Sequence, residues 1–221
     1  MQQFEEAVAQ HSHAVIARSF GETIRLAGSD SEVYSTFYNL VQAGARIPKD
    51  ERWDTYRGRV DEALFPHYKE HIRFAALSLD DKGLINYGKC FLVLRNDMIA
   101  HRATVFEENS MLFMEKHNIR LMAELPTGYR ALWEDRGKLA VAKLSRSIDS
   151  NTMPNNFAEV LLKNGANSGE DEFIEVHIYG PITIHTLKKI AISISEMQRQ
   201  MPEFDALKEN LKYYNVEFLE H

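Results

Sequence analysis

The chain has 221 residues, 44% hydrophobic and 26% charged, with a formal net charge of −6. That length buries a substantial core as one large or two small domains, and the composition is that of a soluble globular chain. The acidic balance excludes broad nonspecific binding to nucleic acid through net charge, leaving only a local basic patch for that purpose, and a single cysteine excludes an intramolecular disulfide.

The start, Met-Gln-Gln-Phe-Glu-Glu-Ala, has no apolar signal core, and no apolar run reaches membrane-spanning length. The expected compartment is the cytoplasm, with no membrane contact. In chain order, residues 2–26 read as a helix, with Phe4, Ala7, Val8, Val15, Ile16, Phe20 and Ile24 at roughly helical spacing and Gly28 as the stop. Ser29 or Ser31 caps a second predicted helix through about Gln42. Residues 43–59 read as irregular, and 60–77 as helical with a break or restart at Pro66.

The middle of the chain changes character. Lys89–Leu94 is apolar on both faces and reads as a central strand containing the buried Cys90. A turn at Asn96-Asp97 leads to a short strand over 102–106, and Phe106 with Met111–Met114 forms an apolar cluster. Packed inside, that cluster is core; exposed, it would dock a partner such as an antitoxin or chaperone. Pro126-Thr127-Gly128 opens a helix of about twenty residues, on which Glu134–Lys138 reads as a solvated face. A short helix over 155–163, a polar loop over 164–171, a strand over 172–180 and an ambiguous stretch over 183–194 follow. Pro202 then precedes a last helix. The expected fold class is α+β, one domain over 1–221, with a mainly helical part (1–80) packed on a mixed part (81–221).

The strand at 172–180, Glu-Phe-Ile-Glu-Val-His-Ile-Tyr-Gly, directs Ile174, Val176 and Ile178 to one face and Glu175, His177 and Tyr179 to the other. Glutamate is depleted from strand interiors, so a carboxylate beside an imidazole makes this strand either the wall of an active site or the solvated face of an edge strand. Two other groupings carry chemistry. His67-Tyr-Lys-Glu-His71 on a helix would put two imidazoles on one face, as in an inverted zinc-protease motif, or form a plain polar face; no metal is expected. Arg95-Asn-Asp-Met-Ile-Ala-His101 resembles the active-site motif of HEPN ribonucleases. That resemblance implies metal-independent RNA cleavage by Arg95 and His101 within a helical bundle.

Tyr87-Gly88, Arg102-Ala-Thr-Val-Phe-Glu-Glu-Asn-Ser110 and Phe173–Gly180, in that order, resemble the ADP-ribosyltransferase-like fold of bacterial toxins and phage-defence enzymes over about residues 55–190. The resemblance implies a mixed, split β-sheet that holds NAD, as substrate, in an open cleft. It makes Glu175 the catalytic carboxylate. Glu172 lies three residues earlier, so the family's pair of acids spaced by one residue is missing. Arg57 and Arg102 compete for the arginine on the NAD phosphates, and Ser110 or Ser78 for the middle residue. Tyr87 or Tyr179 would stack on nicotinamide, and His177 belongs to the cofactor side. The acceptor would be a macromolecule: RNA, DNA or protein. A noncatalytic reading, in which the N-terminal half docks on a partner, stands beside these.

Overall fold

The computed structural model describes residues 1–31, 34–42, 44, 52–119, 128–149, 151–193, 199 and 201–220. Eight strands form one mixed sheet: β1 (His13–Arg18), β2 (Ile72–Ser78), β3 (Cys90–Leu94), β4 (Ala103–Phe106), β5 (Arg130–Leu132), β6 (Glu175–Tyr179), β7 (Leu187–Ile192) and β8 (Glu217–Glu220). Their order is β5-β4-β6-β2-β1-β3-β7-β8, antiparallel throughout except for the parallel pair β7–β8 at one edge. The described helices are α1 (Gln2–His11), α2 (Phe20–Ala27), α3 (Phe37–Gln42), α4 (Arg52–Leu64), α5 (Asn96–Ile99), α6 (Ser110–Lys116), α7 (Arg136–Leu144), α8 (Phe157–Leu161) and α9 (Pro202–Tyr213). None of them is long and apolar enough to cross a membrane.

The two faces of the sheet are covered differently. On one, Ile16, Leu77, Leu92, Val176, Ile178 and Ile190 form a single continuous core with Phe4 and Val8 of α1, Leu26 of α2, Leu139 and Ala140 of α7 and Leu207 and Leu211 of α9. On the other, the buried residues fall into three separate clusters. Phe106 packs with Val60 and Leu64 of α4 and with Met111, Phe113 and Met114 of α6. Val15, Ala17, Phe91, Val93 and Ala191 make a second cluster, and Ala76, Leu84, Leu162 and Phe173 a third. The Met-rich stretch is therefore mostly core.

Several expected elements are corrected. The helix over 2–26 is broken by β1. The Ser12 hydroxyl donates to the Val8 carbonyl at 2.5 Å and ends α1, and Ala14–Ala17 are then buried on both sides as a central strand. Such an apolar run carries no period of its own, so helix and strand are not separable by spacing. Ser19 and Glu22 form a reciprocal capping box that starts α2. Likewise α4 ends at Leu64, before Pro66, and Ile72–Ser78 of the supposed 60–77 helix is strand β2. Within the stretch read as irregular, residue 52 onward is α4, while 45–51 lie outside the described residues.

His67 adopts a left-handed backbone (φ 73°) and His71 lies in the 3₁₀ turn Lys69–His71, so the two imidazoles do not share a helical face. The second helix is seen only as α3, and residues 32 and 33 fall outside the described set. The twenty-residue helix after Pro126 is instead β5, a 3₁₀ turn and α7, with residues 126 and 127 outside the description. Asn96-Asp97 opens α5 instead of a turn. Within the supposedly solvated segment Arg136 is buried, donating to Ser12 Oγ, Trp133 O and Ala9 O, and so ties α7 to α1. The ambiguous 183–194 segment contains strand β7, and β8 was not foreseen.

Candidate functional site

Strand β6 lies inside the sheet, paired with β2 on one side and β4 on the other, which removes the solvated edge-strand reading. Alternation along it does separate Glu175 and His177 from Val176 and Ile178, but both polar residues are buried, at 6% and 2% exposure. Ala76 of β2 lies opposite Glu175, and Phe74 lies opposite His177. The small alanine leaves room above the carboxylate. The imidazole is enclosed by Phe65, Phe74 and Phe106, with ring centroids 4.9, 5.3 and 5.5 Å away.

Two hydrogen bonds to Glu175 reach the same oxygen. His177 Nε2 lies 2.7 Å from Oε1, and the Ser110 backbone N–H donates to it from 3.2 Å. A carboxylate only accepts, so the proton of the pair sits on Nε2. Ser110 is held there because Asn109 caps α6, its Oδ1 accepting from Met111 N and Leu112 N. Burial alone would push the Glu175 carboxyl up. The His177 hydrogen bond and charge, bonding from Ser110 and the charge of Arg57 outweigh it, and the group is held below the ordinary glutamate value. Glu175 is therefore anionic at neutral pH.

Above this pair opens a cleft of about 480 Å³, in the space between the three clusters of that face. Its floor is formed by β1, β2 and Glu175. One wall carries Arg57 and Asp61 of α4 and Tyr38 of α3, and the rim carries Asn86 and Tyr87. The Tyr38 hydroxyl donates to Asp61 Oδ2 at 2.8 Å, and Arg57 Nε lies 3.5 Å from the same oxygen. Arg57 also stacks its guanidinium over Phe74 at 4.6 Å. Burial raises the Asp61 carboxyl, with the charge of Glu175 acting in the same direction, against the lowering effects of Arg57, Tyr38 and His177. Tyr87 is 41% exposed, and its hydroxyl is pushed up by burial first and by the charge of Glu175 second. Gly88 fixes the turn that carries it: with φ at +147°, a Cβ there would stand 2.2 Å from the Arg18 carbonyl.

Of the residues singled out in the sequence, Glu175, Arg57 and Tyr87 line one cleft, while His177 and Ser110 lie behind Glu175 and orient it. Arg102 is not among the residues of the cleft; Nε donates to Met98 O and Nη1 to Tyr179 O. Ser78 donates to Asp80, and Tyr179 packs outside against Tyr68. Arg95 donates to Leu187 O and Asn215 O, and His101 is exposed in a 3₁₀ turn after β3, so no helical bundle surrounds that motif. Asp61 and Tyr38 were missed. The signal was the i,i+4 pair Arg57/Asp61 beside the apolar positions Val60 and Leu64, visible only once α4 is known to start before residue 57. Comparison with protein-family models and with curated proteins gives no match.

Proposed function

We propose that the cleft is the active site of an enzyme that cleaves the nicotinamide–ribose bond of NAD and transfers ADP-ribose to a macromolecule. The observation that carries the reading is Glu175: a buried carboxylate held anionic at the floor of a cleft whose walls present Arg57 and Tyr87. Breaking that bond sends its electron pair to the ring nitrogen and leaves positive charge on the anomeric carbon. A fixed carboxylate in a site shielded from water stabilises such a cation more strongly than solvent does. Oε1 is occupied by His177 and the Ser110 backbone N–H, and Oε2 is the atom this reading assigns to the ribose. Arg57, oriented by Asp61, supplies a planar donor for the pyrophosphate, and Tyr87 an aromatic face for nicotinamide.

A likeness to ADP-ribosyltransferases, and with it a toxin or defence role, is part of this reading, without the split sheet that the resemblance implied. The described strands pair without a break from β5 to β8, so the reading rests on the site and not on the sheet. Purified protein incubated with labelled NAD and cell extract is expected to release nicotinamide and label protein or nucleic acid. Glu175→Gln keeps the shape and removes the charge, and should lower turnover by at least ~10²–10³-fold. Full turnover in that variant sinks the assignment. Cleavage of RNA in the absence of NAD, abolished by His101→Ala, would favour the ribonuclease alternative.

A further inference from the structure

A second concavity, of about 500 Å³, lies where α9 meets the chain entering β8, at the β7–β8 edge of the sheet. Arg95 enters it from the end of β3, Lys188 from β7, and Lys208 and Lys212 from α9. Its lining carries a single carboxylate, Glu217, which lies 3.6 Å from Lys189. Four cations to one anion reverses the balance of the chain, which stands at −6. It is the kind of local basic patch through which an acidic protein can still meet nucleic acid. None of these residues lines the cleft, and the site is independent of the NAD reading.

Folding alone does not account for the gathering. Lys208 and Lys212 stand at i and i+4 on α9, a spacing at which like charges destabilise a helix. Lys212 also meets the negative end of the helix dipole, but Arg95 and Lys188 come from other elements. Lys208 has Asp205 at 2.8 Å and Lys188 has His13 Nε2 at 2.9 Å, while Arg95 and Lys212 pair with no carboxylate among the described residues. Arg95 is half-buried and fixed in place: Nε donates to Leu187 O at 2.9 Å and Nη2 to Asn215 O at 3.1 Å. Neither carbonyl neutralises the guanidinium, and Nη1 has no hydrogen-bond partner among the described residues. A planar donor already oriented loses little entropy on meeting a phosphate. Lys188 and Lys212 are exposed and Lys208 is half-exposed, so the charges are within reach of a ligand. Phe218 of β8, half-buried and 5.9 Å from the Phe204 ring, adds an aromatic side chain to the same lining.

We propose that this groove binds a single strand of nucleic acid, the four cations taking its phosphates and Phe218 carrying a base. Positive grooves with an aromatic in their lining hold such strands without reading their sequence. Anionic lipid is met instead by a juxtamembrane basic segment or by an amphipathic helix that lays its apolar face in the membrane. α9 does not present such a face, because Phe204, Leu207 and Leu211 are buried in the fold.

The test is the fluorescence anisotropy of a labelled oligothymidylate with the full-length protein, without NAD, over a range of salt concentrations. A DNA strand has no 2′-hydroxyl, so cleavage through that group does not enter the signal. Affinity should fall with salt, log K against log [salt] having a slope of about −2 to −3 for three or four phosphates. Lys208→Gln/Lys212→Gln should weaken binding ~10-fold or more at about 0.1 M salt and flatten the slope by ~1.4. Lys138→Gln/Lys163→Gln makes the same charge change on exposed lysines outside the groove and should bind as the wild type does. Phe218→Leu keeps an apolar side chain beside Phe204 and should weaken binding several-fold at an unchanged slope. The proposal falls if the wild type does not bind at low salt, if the two lysine pairs weaken binding equally, or if Phe218→Leu binds as tightly as the wild type. Vesicles of phosphatidylserine bound through Lys208 and Lys212, with no binding of the strand, would overturn it in favour of a membrane surface. Failure of the protein to consume NAD would strike the cleft and leave the groove standing.

Discussion

His177 contributes to the site without lining the cleft. It is walled by three phenylalanines, and its Nδ1 has no partner among the described residues, so its one polar attachment is to Glu175. Replacing it by Phe suits the aromatic box but leaves the carboxylate buried with only the Ser110 bond. Removing one partner of a buried pair costs ~3–5 kcal/mol. The sign with pH follows from the direction of the Glu175 shift. In the wild type Glu175 is held below its unfolded value, so its contribution is complete above the ordinary glutamate range and is lost as pH falls through the folded-state pKa. In His177→Phe, burial is opposed less, the folded-state pKa rises, and the carboxylate becomes a liability near neutrality. Urea unfolding should therefore show a large loss of stability at neutral pH that shrinks on acidification. A loss equal at both pH values would mean that the pair does not hold Glu175 ionised.

Among the elements, the Ile85–Tyr87 turn is tied most tightly to the cleft. It is pinned on one side by Gly88 against Arg18 and on the other by Asn86, whose side-chain amide donates to Asp171 at 2.9 Å. Gly88→Ala must leave its φ of +147° and move the Arg18 carbonyl, so it should cost ~1–3 kcal/mol. Because Tyr87 moves with the turn, the same change should weaken nucleotide binding more than a distant substitution of equal stability cost. Equal weakening by both, in paired melting and titration experiments, would remove Tyr87 from the site. Strands β3 and β6 were legible in the sequence because each has a sharp signal, a doubly apolar run or strict alternation; β4 falls inside the stretch expected for it, although the turn expected before it is α5. β1 and β2 were not legible. Their buried alanines erase the period of two, and only Ser12 and the Ser19/Glu22 capping box marked the boundaries. The site divides along the same line. Glu175 announced itself as a carboxylate on an alternating strand, whereas Asp61 reaches the cleft through the packing of α4. Arg102 followed the order of the motifs, but its guanidinium is committed to carbonyls elsewhere.

At the scale of the whole molecule, the asymmetry of the two sheet faces determines what a ligand does to stability. One face is closed by a continuous core from α1, α2, α7 and α9, while the other is divided into three small clusters with the cleft between them. A ligand that touches α4, the β6 floor and the Tyr87 turn at once bridges clusters that share little contact of their own. Binding to the folded state alone adds RT ln(1 + [L]/Kd), which is ~2.7 kcal/mol at a hundred times Kd. For a chain of this size each kcal/mol raises Tm by ~2–4 °C, so saturating NAD should raise it by ~5–11 °C. The measurement belongs in Glu175→Gln, which keeps the cleft and does not consume the ligand. Adding Arg57→Ala to it removes the planar donor and should shrink the shift at the same NAD concentration, whereas Arg102→Ala, outside the cleft, should leave it unchanged. A shift that depends on Arg102 and not on Arg57 would move the phosphate contact out of the α4 wall, and no shift at all would mean that the cleft does not take a dinucleotide.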